Sequence, residues 1–120
     1  MKFYVNFYKD KDGNKPVGMF IRTLDVKMKA KVTASIQLLE EYGDRAREPL
    51  SKHLGDGIFE IRVSEGNNIV RILYFFDNNR IIIATNGFVK KTRKTPPSEI
   101  ALAKERRADY YRRRDAGTYE

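Results

Sequence analysis

The segments Ile58-Phe59-Glu60-Ile61-Arg62-Val63, Ile69-Val70-Arg71-Ile72-Leu73-Tyr74-Phe75-Phe76 and Arg80-Ile81-Ile82-Ile83-Ala84-Thr85-Asn86 decide the fold class. Each is rich in β-branched and aromatic residues, and the spacers, Ser64-Glu65-Gly66-Asn67-Asn68 and Asp77-Asn78-Asn79, are short runs of turn formers. Spacers of that kind close hairpins and are too short for parallel crossovers, so the segments predict a three-stranded antiparallel meander. The middle segment is apolar almost throughout, which predicts a strand covered on both faces, with Arg71 as the exception.

Upstream, Phe3, Val5 and Phe7 alternate with Lys2, Tyr4 and Asn6, the period of a half-buried strand. The stretch from Lys9 to Pro16 is charged and rich in turn residues and reads as a loop. Phe20, Ile21, Leu24, Met28, Val32, Ile36, Leu39 and Tyr42 then recur at three- and four-residue steps, as on amphipathic helices. Asp25 is placed to cap a fresh helix after a break near Thr23-Leu24, and Gly43 stands where a left-handed terminating residue belongs, predicting two consecutive helices or one bent one. Downstream, Pro96-Pro97-Ser98-Glu99 resembles a helix start with Ser98 able to cap, and a basic helix is expected over about 98–115. The resulting order, an N-terminal strand, two helices, a three-stranded antiparallel meander and a C-terminal helix, is an α+β arrangement. At 120 residues and 14.0 kDa it is expected to form one domain, 1–120.

Lys and Arg number 24 against 16 acids, a formal charge of +8, which points to a polyanionic partner with nucleic acid as the first candidate. Cysteine is absent, which excludes disulfides, thiol chemistry and cysteine-ligated zinc; a single histidine, His53, excludes a multi-histidine metal site. Neither a Walker-type loop, a dinucleotide-binding glycine fingerprint nor a nucleophile-elbow serine is present, so no cofactor and no metal are expected. The adjacent acids Glu40 and Glu41 read as a solvated helix face. No stretch approaches the roughly 20 apolar residues of a membrane span, and the first residues read as a strand rather than a signal, so a cytoplasmic location is expected.

Alternation puts Glu60 and Arg62 on one strand face, opposite Phe59, Ile61 and Val63. A hairpin turning at Gly66-Asn67 brings Arg71 beside Arg62 on that face, where two guanidinium groups would make a fork for phosphate. The plainer alternative pairs Arg62 with Glu60 or another acid across the sheet. After the last strand, Lys90, Lys91, Arg93 and Lys94 supply four cations in five positions, a row suited to an RNA backbone. Phe88 is placed either to stack on an unpaired base or to pack in the core. Lys52 and His53 precede the Leu54-Gly55-Asp56-Gly57 turn, and either is able to exchange a proton. The tail from Lys104 to Arg114 holds six basic residues and reads as further phosphate contacts or as a frayed, solvated helix end.

The ordered set Lys52-x-Leu54, Ile58-Phe59-Glu60-Ile61-Arg62, Val70-Arg71-Ile72-Leu73-Tyr74-Phe75, Asn86-Gly87-Phe88-Val89-Lys90-Lys91-Thr92, Thr95-Pro96, Glu99-Ile100 and Ala103 resembles the phage-derived, HigB-like branch of the RelE/ParE toxin superfamily. The resemblance covers about half the chain, and its Phe-x-Lys-Lys-Thr segment followed by Pro is its most specific part. It implies a RelE-like fold and a type II toxin neutralised by an antitoxin, HigA-like and of helix-turn-helix type, in a higher-order complex. It further implies metal-independent cleavage of mRNA on the ribosome, the RNA 2′-hydroxyl attacking to leave a 2′,3′-cyclic phosphate. Carried over residue by residue, Arg62 and Arg71 grip the scissile phosphate, Lys52, Lys90 and Lys91 position RNA or assist proton transfer, and Phe88, Arg93, Lys94 and His53 contact RNA. The chain departs from some relatives in having Phe88 near the place of a catalytic Tyr or His, which leaves the general base unassigned. ParE-like relatives poison DNA gyrase instead, and a non-cleaving RNA-binding module is a second alternative.

Overall fold

The computed structural model describes residues 2–120, in the order β1 (Tyr4–Phe7), α1 (Pro16–Arg22), α2 (Val26–Tyr42), a 3-10 turn (Gly43–Arg45), β2 (Ser51–Gly55), β3 (Ile58–Glu65), β4 (Asn68–Asp77), β5 (Ile81–Val89) and α3 (Pro97–Asp115). Strands β2 to β5 pair successively antiparallel and β1 joins β5 in parallel, giving a five-stranded sheet ordered β1-β5-β4-β3-β2. The mixed α+β class holds, and the three-stranded layout is corrected: the meander has four strands. The extra one is β2, which takes Lys52 and His53 out of the expected pre-turn segment and into the sheet. Asp56 and Gly57, with φ of 57° and 76°, form the tight turn joining β2 to β3, the backbone that a two-residue type I′ hairpin demands.

Side-chain alternation on β3, β4 and β5 divides the apolar residues between the two faces of the sheet. Ile61, Val63, Val70, Ile72, Tyr74, Ile82 and Ala84 pack under Val17 of α1 and Met28, Val32 and Leu39 of α2. On the opposite face Ile58, Leu73, Phe75 and Ile83 meet Tyr8 and the α3 residues Ala103 and Tyr110. Strand β4 feeds both clusters, which is why its sequence is apolar on both parities. Tyr74 is buried with its hydroxyl bonded to Ser51; burial pushes its phenol up to about 12, with the Ser51 hydrogen bond opposing.

Two consecutive helices cover the first face. The Asp25 carboxylate accepts the Met28 N–H at 2.8 Å, the N-cap bond read from the sequence. Gly43 ends α2 at φ 53°, and a Cβ there would lie 2.1 Å from the Phe3 ring, so both conformation and space demand glycine. Gly87 on β5 lets α1 approach closely, since a Cβ would lie 2.6 Å from the Phe20 ring.

Helix α3 starts on Pro97, whose missing N–H is no loss at the first helical position; Pro96 occupies the cap, and Ser98 lies inside the helix rather than capping it. Its far end is bolted to the sheet by Tyr8 on Asp109 and by Tyr110 and Arg114 on Asp77, at 2.5–2.6 Å. No helix among the described residues is long and apolar enough to cross a membrane.

Candidate nucleic-acid interface

The two-residue turn Gly66-Asn67 between Glu65 and Asn68 sets the register of β3 on β4, and that register places Arg62 directly opposite Arg71. Phe59, Ile61 and Val63 face the α1/α2 core, so Glu60 and Arg62 lie on the α3 face, as alternation requires. Lys52, the cross-strand partner of Glu60 on β2, joins them there. Helix α3 leaves this corner of the sheet to the β5–α3 loop, Lys90 to Pro96.

The two arginines end in different surroundings. Arg71 is 1% exposed; its guanidinium donates to Thr95 Oγ1 at 2.6 Å and to the Arg93 carbonyl at 2.8 Å, and lies 3.5 Å from Glu60 Oε1. Glu60 is wholly buried and accepts Arg62 Nε at 2.9 Å and the Thr95 hydroxyl at 2.5 Å. Arg62 therefore makes the acid pairing weighed from sequence, yet its side chain keeps 33% of its surface in solvent. A buried carboxylate opposed by two guanidinium groups leaves a local excess of positive charge, and Arg62 is where that excess meets water.

Arg62 and Lys90 line a shallow concavity of about 500 Å³ with Pro49, Leu50, Ser64 and Ile69. The Lys90 N–H donates to the Ile69 carbonyl at 2.7 Å, so the first residue of the loop is still held by β4. Lys91, Arg93 and Lys94 follow with exposed side chains, and Lys52 is exposed at the adjoining sheet edge. From the other side Lys31 of α2 reaches the Ser64 carbonyl at 3.3 Å. The structure thus brings together Lys52, Arg62, Lys90, Lys91, Arg93 and Lys94, with Arg71 beneath them.

Phe88, the cross-strand partner of Arg71, is half-buried against the α3-side core. His53 lies on the opposite face of β2 and lines a second concavity that Lys52 also borders: its ring centroid is 4.5 Å from that of Phe59 and its Nε2 accepts the Gly57 N–H at 3.2 Å. The C-terminal cations also lie elsewhere and are turned to intramolecular work. Lys104 pairs with Asp56, Arg106 and Arg107 donate to the Thr85 and Asp56 carbonyls, and Arg112, Arg113 and Arg114 pair with Asp109 or Asp77. The segment is neither frayed nor a free cationic arm. Thr95 and Glu60 stood in the set of residues that carries the resemblance, but Thr95 was given no role and Glu60 only that of a partner for Arg62; the readable signal was an acid sharing a strand face with two arginines.

The family model for the phage-derived protein Gp49-like (DUF891) matches residues 19–108, from α1 through the meander into α3, and so contains every residue of this interface. None of the curated proteins matches the sequence.

Proposed function

Because the chain belongs to the Gp49-like phage-derived family, a RelE/ParE-type toxin-like family, we propose that it is the toxin of a type II toxin–antitoxin pair and cuts mRNA on the ribosome without a metal. On this reading residues 1–120 form a single HigB-like domain of RelE-like fold acting in the cytoplasm. The partner is a cognate antitoxin, HigA-like and of helix-turn-helix type, in a higher-order complex. The observation that carries the reading is the pair Arg62 and Lys90 on one concavity at the rim of the sheet, with Lys52 exposed on the neighbouring strand and Lys91, Arg93 and Lys94 exposed on the loop that follows.

In the proposed reaction the 2′-hydroxyl of the RNA attacks the adjacent phosphorus, the 5′-oxygen of the next nucleotide leaves with a proton, and a 2′,3′-cyclic phosphate remains. The phosphorane gains negative charge as it forms, and fixed cations aimed at it stabilise that charge more than the ground state. Arg62 is the residue we assign to the scissile phosphate. Its Nε is tied to Glu60, which orients the rest of the guanidinium toward solvent. Lys52, Lys90 and Lys91 hold neighbouring phosphates or assist proton transfer, and Arg93 and Lys94 extend the contact along the strand. Phe88 is assigned to the border of that surface.

The test is expression of the chain in bacteria without its genetic neighbour, followed by mapping of mRNA 5′ ends at early times. New in-frame ends that disappear in Arg62→Ala are expected. Growth arrest with intact mRNA would replace this reading with a gyrase-directed one, and salt-dependent RNA binding without cleavage would leave an RNA-binding module.

A further inference from the structure

The proposed reaction leaves a buried carboxylate without a part. Burying Glu60 is costly unless its charge is matched, and here Arg62, Arg71 and the Thr95 hydroxyl surround it. These bonds converge on one place. Beyond Lys90 the β5–α3 loop leaves the β-ladder, and its ties to the sheet come from Arg71 on the Arg93 carbonyl and from Arg71 and Glu60 together on Thr95. Arg71 aims its guanidinium at the loop backbone and away from solvent, while the loop presents Lys91, Arg93 and Lys94 outward.

We infer that Glu60, Arg71 and Thr95 are positioning residues, a latch beneath the loop that fixes Lys91, Arg93 and Lys94 beside Arg62 and Lys90 as one continuous phosphate-binding row for single-stranded RNA. The inference rests on the RNA-directed reading above. It assigns Arg71 to the loop instead of to phosphate. The Thr95 hydroxyl is the pivot, because it accepts from Arg71 and donates to Glu60 at once. Serine can do both; valine, of similar shape, can do neither.

The test uses the purified full chain and a single-stranded oligoribonucleotide, with affinity measured across a salt series. The variants are Thr95→Val, Thr95→Ser and the triple variant Lys91→Ala/Arg93→Ala/Lys94→Ala, alone and with Thr95→Val added. Each phosphate contact contributes about 0.7 to the slope of log affinity against log salt for single strands, so Thr95→Val is expected to flatten the slope by about 1 to 2. Thr95→Ser restores it. In the triple variant, where the positioned cations are gone, adding Thr95→Val changes affinity by less than about twofold, the non-additivity of residues acting through one another. Circular dichroism monitors folding, and Thr95→Ala makes the same comparison if valine is not accommodated. An unchanged slope in a folded Thr95→Val or Thr95→Ala protein, or an equally large effect in the triple variant, overturns the latch alone. Absence of salt-dependent binding by the wild type removes the RNA reading and the latch with it.

Discussion

Arg62 and Arg71 are Cα partners across β3 and β4, and one side chain is one-third exposed while the other is sealed under the β5–α3 loop. Equal registration with unequal burial gives the two positions different mutational signatures. Arg62→Ala removes a partly exposed partner of Glu60, which retains Arg71 and Thr95; stability should fall by no more than about 1 kcal/mol while growth arrest is lost. Arg71→Ala empties a fully buried site and removes the bonds to Thr95 and the Arg93 carbonyl together with the pairing to Glu60, and should cost about 3–5 kcal/mol. Urea unfolding of the two proteins separates the roles, and equal stability losses would show that burial does not distinguish them.

Lys52 and His53 are neighbours in sequence on opposite faces of β2. Lys52→Ala should weaken mRNA cleavage by about tenfold, the scale of one lost charge-assisted contact of about 1.5 kcal/mol. His53→Ala should leave cleavage within about twofold, because its ring packs against Phe59 on the face of β2 opposite to Lys52. Counting cleaved ends for both variants checks the pair, and a collapse of cleavage in His53→Ala would bring the opposite face into the reaction.

Acid should loosen the attachment of α3. The Asp109 carboxyl is held below its ordinary 3.8 chiefly by the Tyr8 hydroxyl, with burial opposing and Arg113 assisting. For Asp77 burial pulls upward but is outweighed by hydrogen bonds from Tyr110, the Asn78 N–H and Arg114. A carboxylate with a depressed folded value contributes stability that is complete above its unfolded value and is lost as pH falls through the folded one. The urea midpoint of the wild type should therefore drop below about pH 4. Asp77→Asn/Asp109→Asn should be weaker at neutral pH and flatter in acid; parallel pH profiles would show that these contacts do not couple to folding.

Gly87→Ala tests the close passage of α1 over β5. The added methyl meets the Phe20 ring, and accommodating it should cost about 1–3 kcal/mol, the usual penalty of overpacking. A melting temperature within a degree or so of wild type would mean that Phe20 moves freely aside.

The sequence displayed local pairings and concealed distant ones. The β3–β4 register was legible because a two-residue turn and strict alternation leave little freedom, and the Asp25 cap because a side chain three residues from its N–H needs no other context. Strand β2 carried its own signal: Asp56-Gly57 is a hairpin dipeptide, and a hairpin needs a strand on each side. The passage from Ser51 to Gly55 is too polar to declare itself as that strand by periodicity. The parallel docking of β1 on β5 joins residues far apart in the chain, which no short-range pattern records. At the interface the cations were legible as residue types, whereas the division between those facing water and the one turned inward depends on how the loop folds back over Glu60.

The bonds that close the sheet also set an order of assembly. Tyr8 finds Asp109 only 101 residues later, and β1 lies beside a strand that follows it by most of the chain. Local hairpins from β2 to β5 close small loops and gain contacts early, whereas the loop that seats β1 is long and entropically late. The first strand in chain order is thus among the last to be placed, and until it docks the sheet keeps an open edge at β5.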